Sequence, residues 1–158
     1  MRRLGWILAA ATAASLATGS GAAPAPIVRV YRPEGMLPGV SAAILDRALG
    51  PAAQENAALF VLELDAPGGL VDSTEDMVRS ILNSRVPVVV FVSPRGAHAA
   101  SAGFFLLLAG DAAAMAPVTR TGASSPITLG GENKEGDVAL KKASEDLAAL
   151  LRSSARAR

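Results

Sequence analysis

Two apolar runs of strand length, ALFVLEL (58–64) and VVVFV (88–92), are separated by a segment of helical period. That spacing constrains the fold more than any other feature of the chain. Runs without polar alternation are expected of strands buried on both faces. Strand, helix and strand at this separation make a βαβ unit, and hence a mainly parallel sheet. The intervening helix, expected to be capped by Asp72 or Ser73, carries Met77, Val78, Ile81 and Leu82.

The pattern extends in both directions. IVRVY (27–31) is a short β-branched strand closed by Arg32-Pro33. Residues 40–54 read as a helix with Val40, Ile44, Leu45 and Leu49 near one face. SPRGAHAA (93–100) reads as a loop, and SAGFFLLLAG (101–110) as a buried helix beginning near Ser101. DAAAMAP (111–117) is expected to form a short strand, followed by a long polar, Gly-rich loop at 119–137. A last helix is expected over about 137–152, burying Leu140, Ala143, Leu147, Leu150 and Leu151. No sequence repeat is visible. No strand follows that helix, so the layer is expected to be incomplete at its C-terminus.

With 158 residues, the chain suits one domain with a sizeable core. Hydrophobic residues make up 51% but aromatics only 4%, which fits α/β layer packing better than an aromatic binding surface. A formal net charge of +1 gives no electrostatic case for nucleic acid. The absence of cysteine excludes disulfides and thiolate metal sites. One histidine and scattered carboxylates make no convincing metal site, and no cofactor is called for.

Residues 1–22 are expected to be a signal peptide, with residues 23–158 forming the folded domain. Arg2 and Arg3 precede an apolar stretch from Leu4 to Ala17, and Ser20-Gly21-Ala22 offers small residues for cleavage after Ala22. The alternative is an uncleaved anchor, although the stretch falls short of the ~20 residues of a spanning helix. Both readings place the domain outside the cytoplasm.

Two features fall at the C-terminal ends of predicted strands, where open α/β sheets carry their sites. Gly68-Gly69 follows residues 58–64 and lets backbone amides approach a ligand, as an oxyanion hole requires; alone, it is more often a plain turn. Ser101 follows residues 88–92 at a helix start, with the Ala102 amide facing the same spot; alone, it is more often a helix cap. A nucleophilic serine needs a base. His98 is three residues away, but in a loop its ring need not face the hydroxyl, and Asp65 and Asp111 imply no triad without a histidine to orient. A lysine serves when burial favours its neutral form. Lys134, Lys141 and Lys142 follow the Gly-rich loop, and periodicity does not separate Lys141 from Lys142.

The blocks LELDAPGGLVDST, ILNSRVPVVVFVSPRGAHAASAGFFLLLA and AAMAPVTRTGASSPITLGG, in this order, resemble the NfeD family of membrane-bound serine proteases of the ClpP class. The resemblance runs from Ile27 to Ser153. It implies a ClpP/crotonase-like fold of repeated ββα units and a Ser–Lys dyad. The family's AASAG serine falls on Ser101, and its PGG glycines on Gly68 and Gly69. Gly69 and Ala102 are thereby implied as oxyanion donors. The family's lysine pattern is matched by KASEDLAALLRS, which selects Lys142 and leaves His98 without a role. The resemblance further implies apolar substrate segments, stomatin-like membrane proteins as substrates and partners, and a homodimer or larger assembly. Family members usually continue beyond the dyad helix, so this chain is expected to be C-terminally truncated. The competing expectation is an inactive scaffold that binds partners through the same groove. An acyl-CoA enzyme of the crotonase type is disfavoured by the export signal.

Overall fold

The helix and strand periods resolve into β1 (Val28–Tyr31), α1 (Ser41–Gln54), β2 (Leu59–Leu64), α2 (Val71–Leu82) and β3 (Val88–Val92). There follow β4 (His98–Ala100), α3 (Ala102–Ala109), β5 (Ala112–Met115), β6 (Arg120–Gly122) and α4 (Lys134–Ala157). They are seen in a computed structural model that describes residues 25–33, 35–122 and 134–157. The main sheet is parallel throughout, in the order β1-β2-β3-β5. A second, small parallel sheet pairs β4 with β6.

Two isolated parallel bridges, Leu37 with Gly69 and Ala66 with Ala99, extend this second layer. The chain therefore repeats one path: a main-sheet strand, a short extended stretch in the second layer, then a helix. The successive units are β1, Leu37 and α1; β2, Ala66–Gly69 and α2; β3, β4 and α3; β5, β6 and α4. This is the ββα repeat that the resemblance implied, and it is carried by backbone path without any repeat of sequence.

The core lies between the main sheet and its helices, with Phe60, Leu62, Leu64, Val88, Val90 and Val92 on the strands. Leu45 and Leu49 of α1, Met77, Val78 and Ile81 of α2, and Leu106 of α3 close over them. Burial along β2 and β3 alternates strictly, which corrects the expectation of strands buried equally on both faces. Phe60, Leu62 and Leu64 are sealed, whereas Leu59, Val61 and Glu63 are half-exposed. On α1, Val40 and Ile44 are exposed, and the inner face is Ser41, Ala42, Leu45, Leu49 and Ala52. Three of these five residues are small, so the buried stripe is narrower in volume than the hydrophobic pattern implied.

Neither Asp72 nor Ser73 caps α2. The cap position is Leu70, the Ser73 hydroxyl donates to the Pro38 carbonyl at 2.9 Å, and the Thr74 hydroxyl donates to the Leu70 carbonyl at 2.7 Å. Residues 93–100 are not all loop, since β4 occupies their end. The last helix begins earlier and runs longer than expected; its Leu147 and Leu151 are buried, with Leu150 half-buried. Leu140's side chain lies outside the described residues, as do residues 1–22 and most of the Gly-rich loop. Among the described residues, no helix is long and apolar enough to cross a membrane.

Candidate active site

Ser101 sits between two incompatible hydrogen-bonding patterns. On its N-terminal side the Ala100 amide donates to the Ala66 carbonyl at 3.1 Å, and the Ser101 amide donates to the Gly122 carbonyl at 3.0 Å, so the strand pattern persists to this residue. On its C-terminal side the Phe104 amide already donates to the Ser101 carbonyl at 3.0 Å, which opens α3. One residue must make the whole turn. Ser101 does so at φ 50° and ψ −112°, outside the regions that L-residues favour. An ordinary helix-capping serine is extended and accepts a helix amide on its hydroxyl. Ser101 is not extended and makes no such bond. Among the described residues its hydroxyl has no hydrogen-bond partner at all. A strained strand-to-helix turn is the geometry that holds a nucleophilic serine out at a sheet end.

The glycine pair stands against it. A Cβ built on Gly69 would lie 2.8 Å from Leu37 Cβ and 3.1 Å from Ala102 Cβ, and one built on Gly68 would lie 4.0 Å from Ser101 Cβ. The strand pattern fixes which way the Gly69 amide points. The Gly68 carbonyl accepts from the Leu37 amide at 3.0 Å, and the Leu70 amide donates to the Leu37 carbonyl at 3.2 Å. Residues 68 and 70 thus turn their polar groups to Leu37, and alternation turns those of Gly69 to the opposite edge, toward Ser101. Among the described residues neither the Gly69 nor the Ala102 amide donates to a protein acceptor. Ala102 is the first residue of α3, where an amide has no partner within its own helix. Gly103 completes the arrangement, because a Cβ there would press on the Ala66 carbonyl at 3.0 Å.

His98 is occupied elsewhere. Its backbone amide donates to Asp65 Oδ1 at 2.9 Å, its Nδ1 is 3.7 Å from the same oxygen, and its Nε2 meets the Arg120 guanidinium. A guanidinium only donates, so this contact takes up the Nε2 lone pair that a general base would use. Asp111 is likewise structural, its carboxylate accepting the Val88 amide at 2.8 Å.

The structure brings Gly68, Gly69, Ser101 and Ala102 together; it does not join Lys142 to them. The Lys142 side chain is exposed, and among the described residues no hydrogen bond links it to Ser101. On α4 it stacks with Asp146, Ala149 and Ser153, all exposed. Lys141, also exposed, stacks instead with Glu145, Ala148 and Arg152, which line an apolar groove against Phe104, Phe105 and Leu108 of α3. A hollow of about 670 Å³ lies between α1 and α2 and carries Asp46, Asp76, Arg79 and Arg85. It includes none of the residues above, so chemistry and not volume marks the site.

A family model described as NfeD1b, N-terminal domain, matches residues 36–158. The chain belongs to this family. It is 38% identical over 112 residues to the membrane-bound protease PH1510 of Pyrococcus horikoshii, and 38% identical over 84 residues to the membrane protein NfeD1b of Bacillus subtilis. The alignments take in 71% and 53% of this chain but only 25% and 18% of those proteins, so the chain spans a quarter or less of the relatives' length.

Solved structures of a membrane-bound, stomatin-specific protease domain, 1510-N, share the fold. A lysine-to-alanine mutant with a substrate peptide superposes at a TM-score of 0.65 with 38% identity, covering 72% of this chain and 51% of that one. A serine-to-alanine mutant gives 0.68 with 34% identity, covering 78% and 63%. The domain specific for a stomatin homologue from Pyrococcus horikoshii gives 0.60 with 39% identity, covering 63% and 50%. NfeD-family membership and the ClpP-like α/β fold are therefore established for this chain, and one of its relatives, PH1510, is a membrane-bound protease.

Proposed function

We propose that this chain carries the catalytic centre of a serine endopeptidase, with Ser101 as nucleophile and Lys142 as its base. Neutral Lys142 Nζ takes the hydroxyl proton as Ser101 Oγ attacks a peptide carbonyl carbon. The Gly69 and Ala102 amides, with Gly68 shaping their approach, hold the oxyanion, at roughly 3 kcal/mol per donor. The lysine returns the proton to the leaving amine, and water then releases the acyl group from Ser101. Apolar segments of membrane-associated proteins, stomatin-like ones among them, are the proposed substrates, and a homodimer or larger assembly the proposed form. Export is the proposed fate, with residues 1–22 as signal and 23–158 as the protease domain.

The observation that carries this reading is the Ser101 backbone, φ 50° and ψ −112°, with its hydroxyl and the Gly69 and Ala102 amides making no hydrogen bond among the described residues. The relatives whose serine-to-alanine and lysine-to-alanine forms were studied support the choice of a serine and a lysine. A lysine acts as base only when desolvation favours its neutral form. Since the Lys142 side chain is exposed, bound substrate or assembly is the proposed source of that cover.

The same exposure favours a second reading, in which this chain by itself is an inactive binding scaffold. The test is cleavage of membrane-helix-like peptides by the full chain, followed by mass spectrometry, beside Ser101→Ala, Lys142→Ala and Lys141→Ala with folding checked by circular dichroism. Loss in the Ser101 and Lys142 variants alone is expected. Loss in Lys141→Ala with cleavage retained in Lys142→Ala moves the base by one residue. No cleavage by the folded parent chain points to an inactive chain or a binding role, and retained binding of the peptides then supports the scaffold.

A further inference from the structure

The stretch from Gly68 to Leu70 has two faces. On the inner one, the Cβ position of Gly69 is crowded by Leu37 and Ala102. On the outer one, the Cβ position of Gly68 lies 3.6 Å from both Sδ and Cε of Met36 and 4.0 Å from Ser101 Cβ. Alternation places Leu70 on this outer face with Gly68. Met36 is 60% exposed and Leu70 55%.

Single apolar side chains are ordinary on a protein surface. These two differ in position, because they stand along the backbone whose Gly69 amide faces the serine. The Met36 thioether packs over Gly68, which is buried, while remaining largely exposed itself, and Ser101 Cβ stands 4.0 Å from the same Cβ position on Gly68. A thioether on an unbranched, rotatable stem adapts to apolar partners of several shapes. A charged side chain laid against it would lose water without gaining a partner.

We propose that Met36 is a specificity-determining residue of this site: it forms the apolar wall against which the substrate side chain next to the scissile bond packs, with Leu70 extending the wall. The inference rests on the protease reading above and deepens it, assigning the preference for an apolar residue to a named side chain. The class of substrate residue it takes is leucine, methionine or phenylalanine.

The test separates binding from cleavage. Fluorescently labelled short peptides, of alanine and serine except for one leucine, glutamate or lysine moved position by position, are titrated into the full chain carrying Ser101→Ala. At one position, leucine is expected to bind at least about tenfold more tightly than glutamate or lysine. Met36→Glu on the same background should abolish that preference and favour lysine, and Met36→Leu should keep it. An unchanged leucine-to-lysine ratio in a folded Met36→Glu variant overturns the proposal, as does failure of every peptide to bind. Cleavage by the chain with Ser101 intact is scored separately. Cleavage whose selectivity ignores Met36 removes the wall and leaves the protease; binding that follows Met36 without cleavage removes the protease and leaves the wall.

Discussion

Replacing Ser101 by glycine should stabilise the folded chain while removing its nucleophile. The reasoning starts from φ 50° and ψ −112°, the mirror image of an ordinary extended conformation, which glycine adopts as easily as its opposite. A residue with a Cβ held in a sparsely populated region stores about 1–3 kcal/mol. Glycine relieves that strain but loosens the unfolded chain, at about 0.4–1 kcal/mol. The net expectation is a gain of about 0.5–2 kcal/mol, or about 1–8 °C in Tm for a chain of this length. Ser101→Ala keeps the Cβ, and therefore the strain, and has no capping hydrogen bond to lose, so it should be near neutral. An ordinary capping serine predicts the reverse, with alanine losing about 1 kcal/mol and glycine a few tenths. Urea titrations followed by circular dichroism distinguish the two orders. A Ser101→Gly chain less stable than the parent would refute the strained-turn argument, and with it the structural case for a nucleophile.

Other consequences are more local. Gly69→Ala brings a methyl group to 2.8 Å from Leu37 Cβ and 3.0 Å from the Leu37 carbonyl oxygen, so it should destabilise by about 1–3 kcal/mol. Gly68→Ala meets nothing nearer than 3.6 Å and should fold normally, and equal Tm losses in the two variants would contradict this packing. Leu147→Ala, at a position only 3% exposed, should lower stability by about 2–3 kcal/mol in a denaturant titration if α4 packs as described; no change would mean that it does not. Tyr31 is the only tyrosine, and burial raises its pKa above the ordinary 10. The folded chain then holds the phenol proton where the unfolded chain has lost it. Stability from this residue is complete below pH 10 and declines above it. Phenolate absorbance should show one midpoint above 10, and Tyr31→Phe should remove the alkaline decline; a midpoint at or below 10 would contradict the burial.

The strands and helices that build the core were legible because their signal is repeated. Residues 59–64 and 88–92 each supply several β-branched or large apolar side chains, and the α2 stripe recurs through Met77, Val78 and Ile81. The second layer was not legible. His98–Ala100 and Arg120–Gly122 are three residues each, and Leu37 contributes a single bridge, too short for any period to register. Yet this layer sets the site, because it brings the ends of successive units into register and points the Gly69 amide at Ser101. Resemblance supplied the ββα arrangement where periodicity could not.

The site itself divides along the same line. Residue types placed Gly68, Gly69, Ser101 and Ala102 at strand ends, but no property of a serine announces a positive φ. Here the amino acid and the backbone disagree. A turn that only had to reverse the chain between Ala100 and Ala102 would be made most easily by glycine, as it is at Gly96 and Gly122, both at positive φ. A serine held there against its own preference, with its hydroxyl making no bond among the described residues, needs a reason outside stability. That reason is to be sought in what the hydroxyl can do to a bound ligand. Asp65 and Arg120 reinforce the point: both engage His98 on the β4–β6 sheet, and neither reaches Ser101 with a hydrogen bond. The cluster holds together the backbone on either side of the strained residue, so the strain is supported by the layer that carries it.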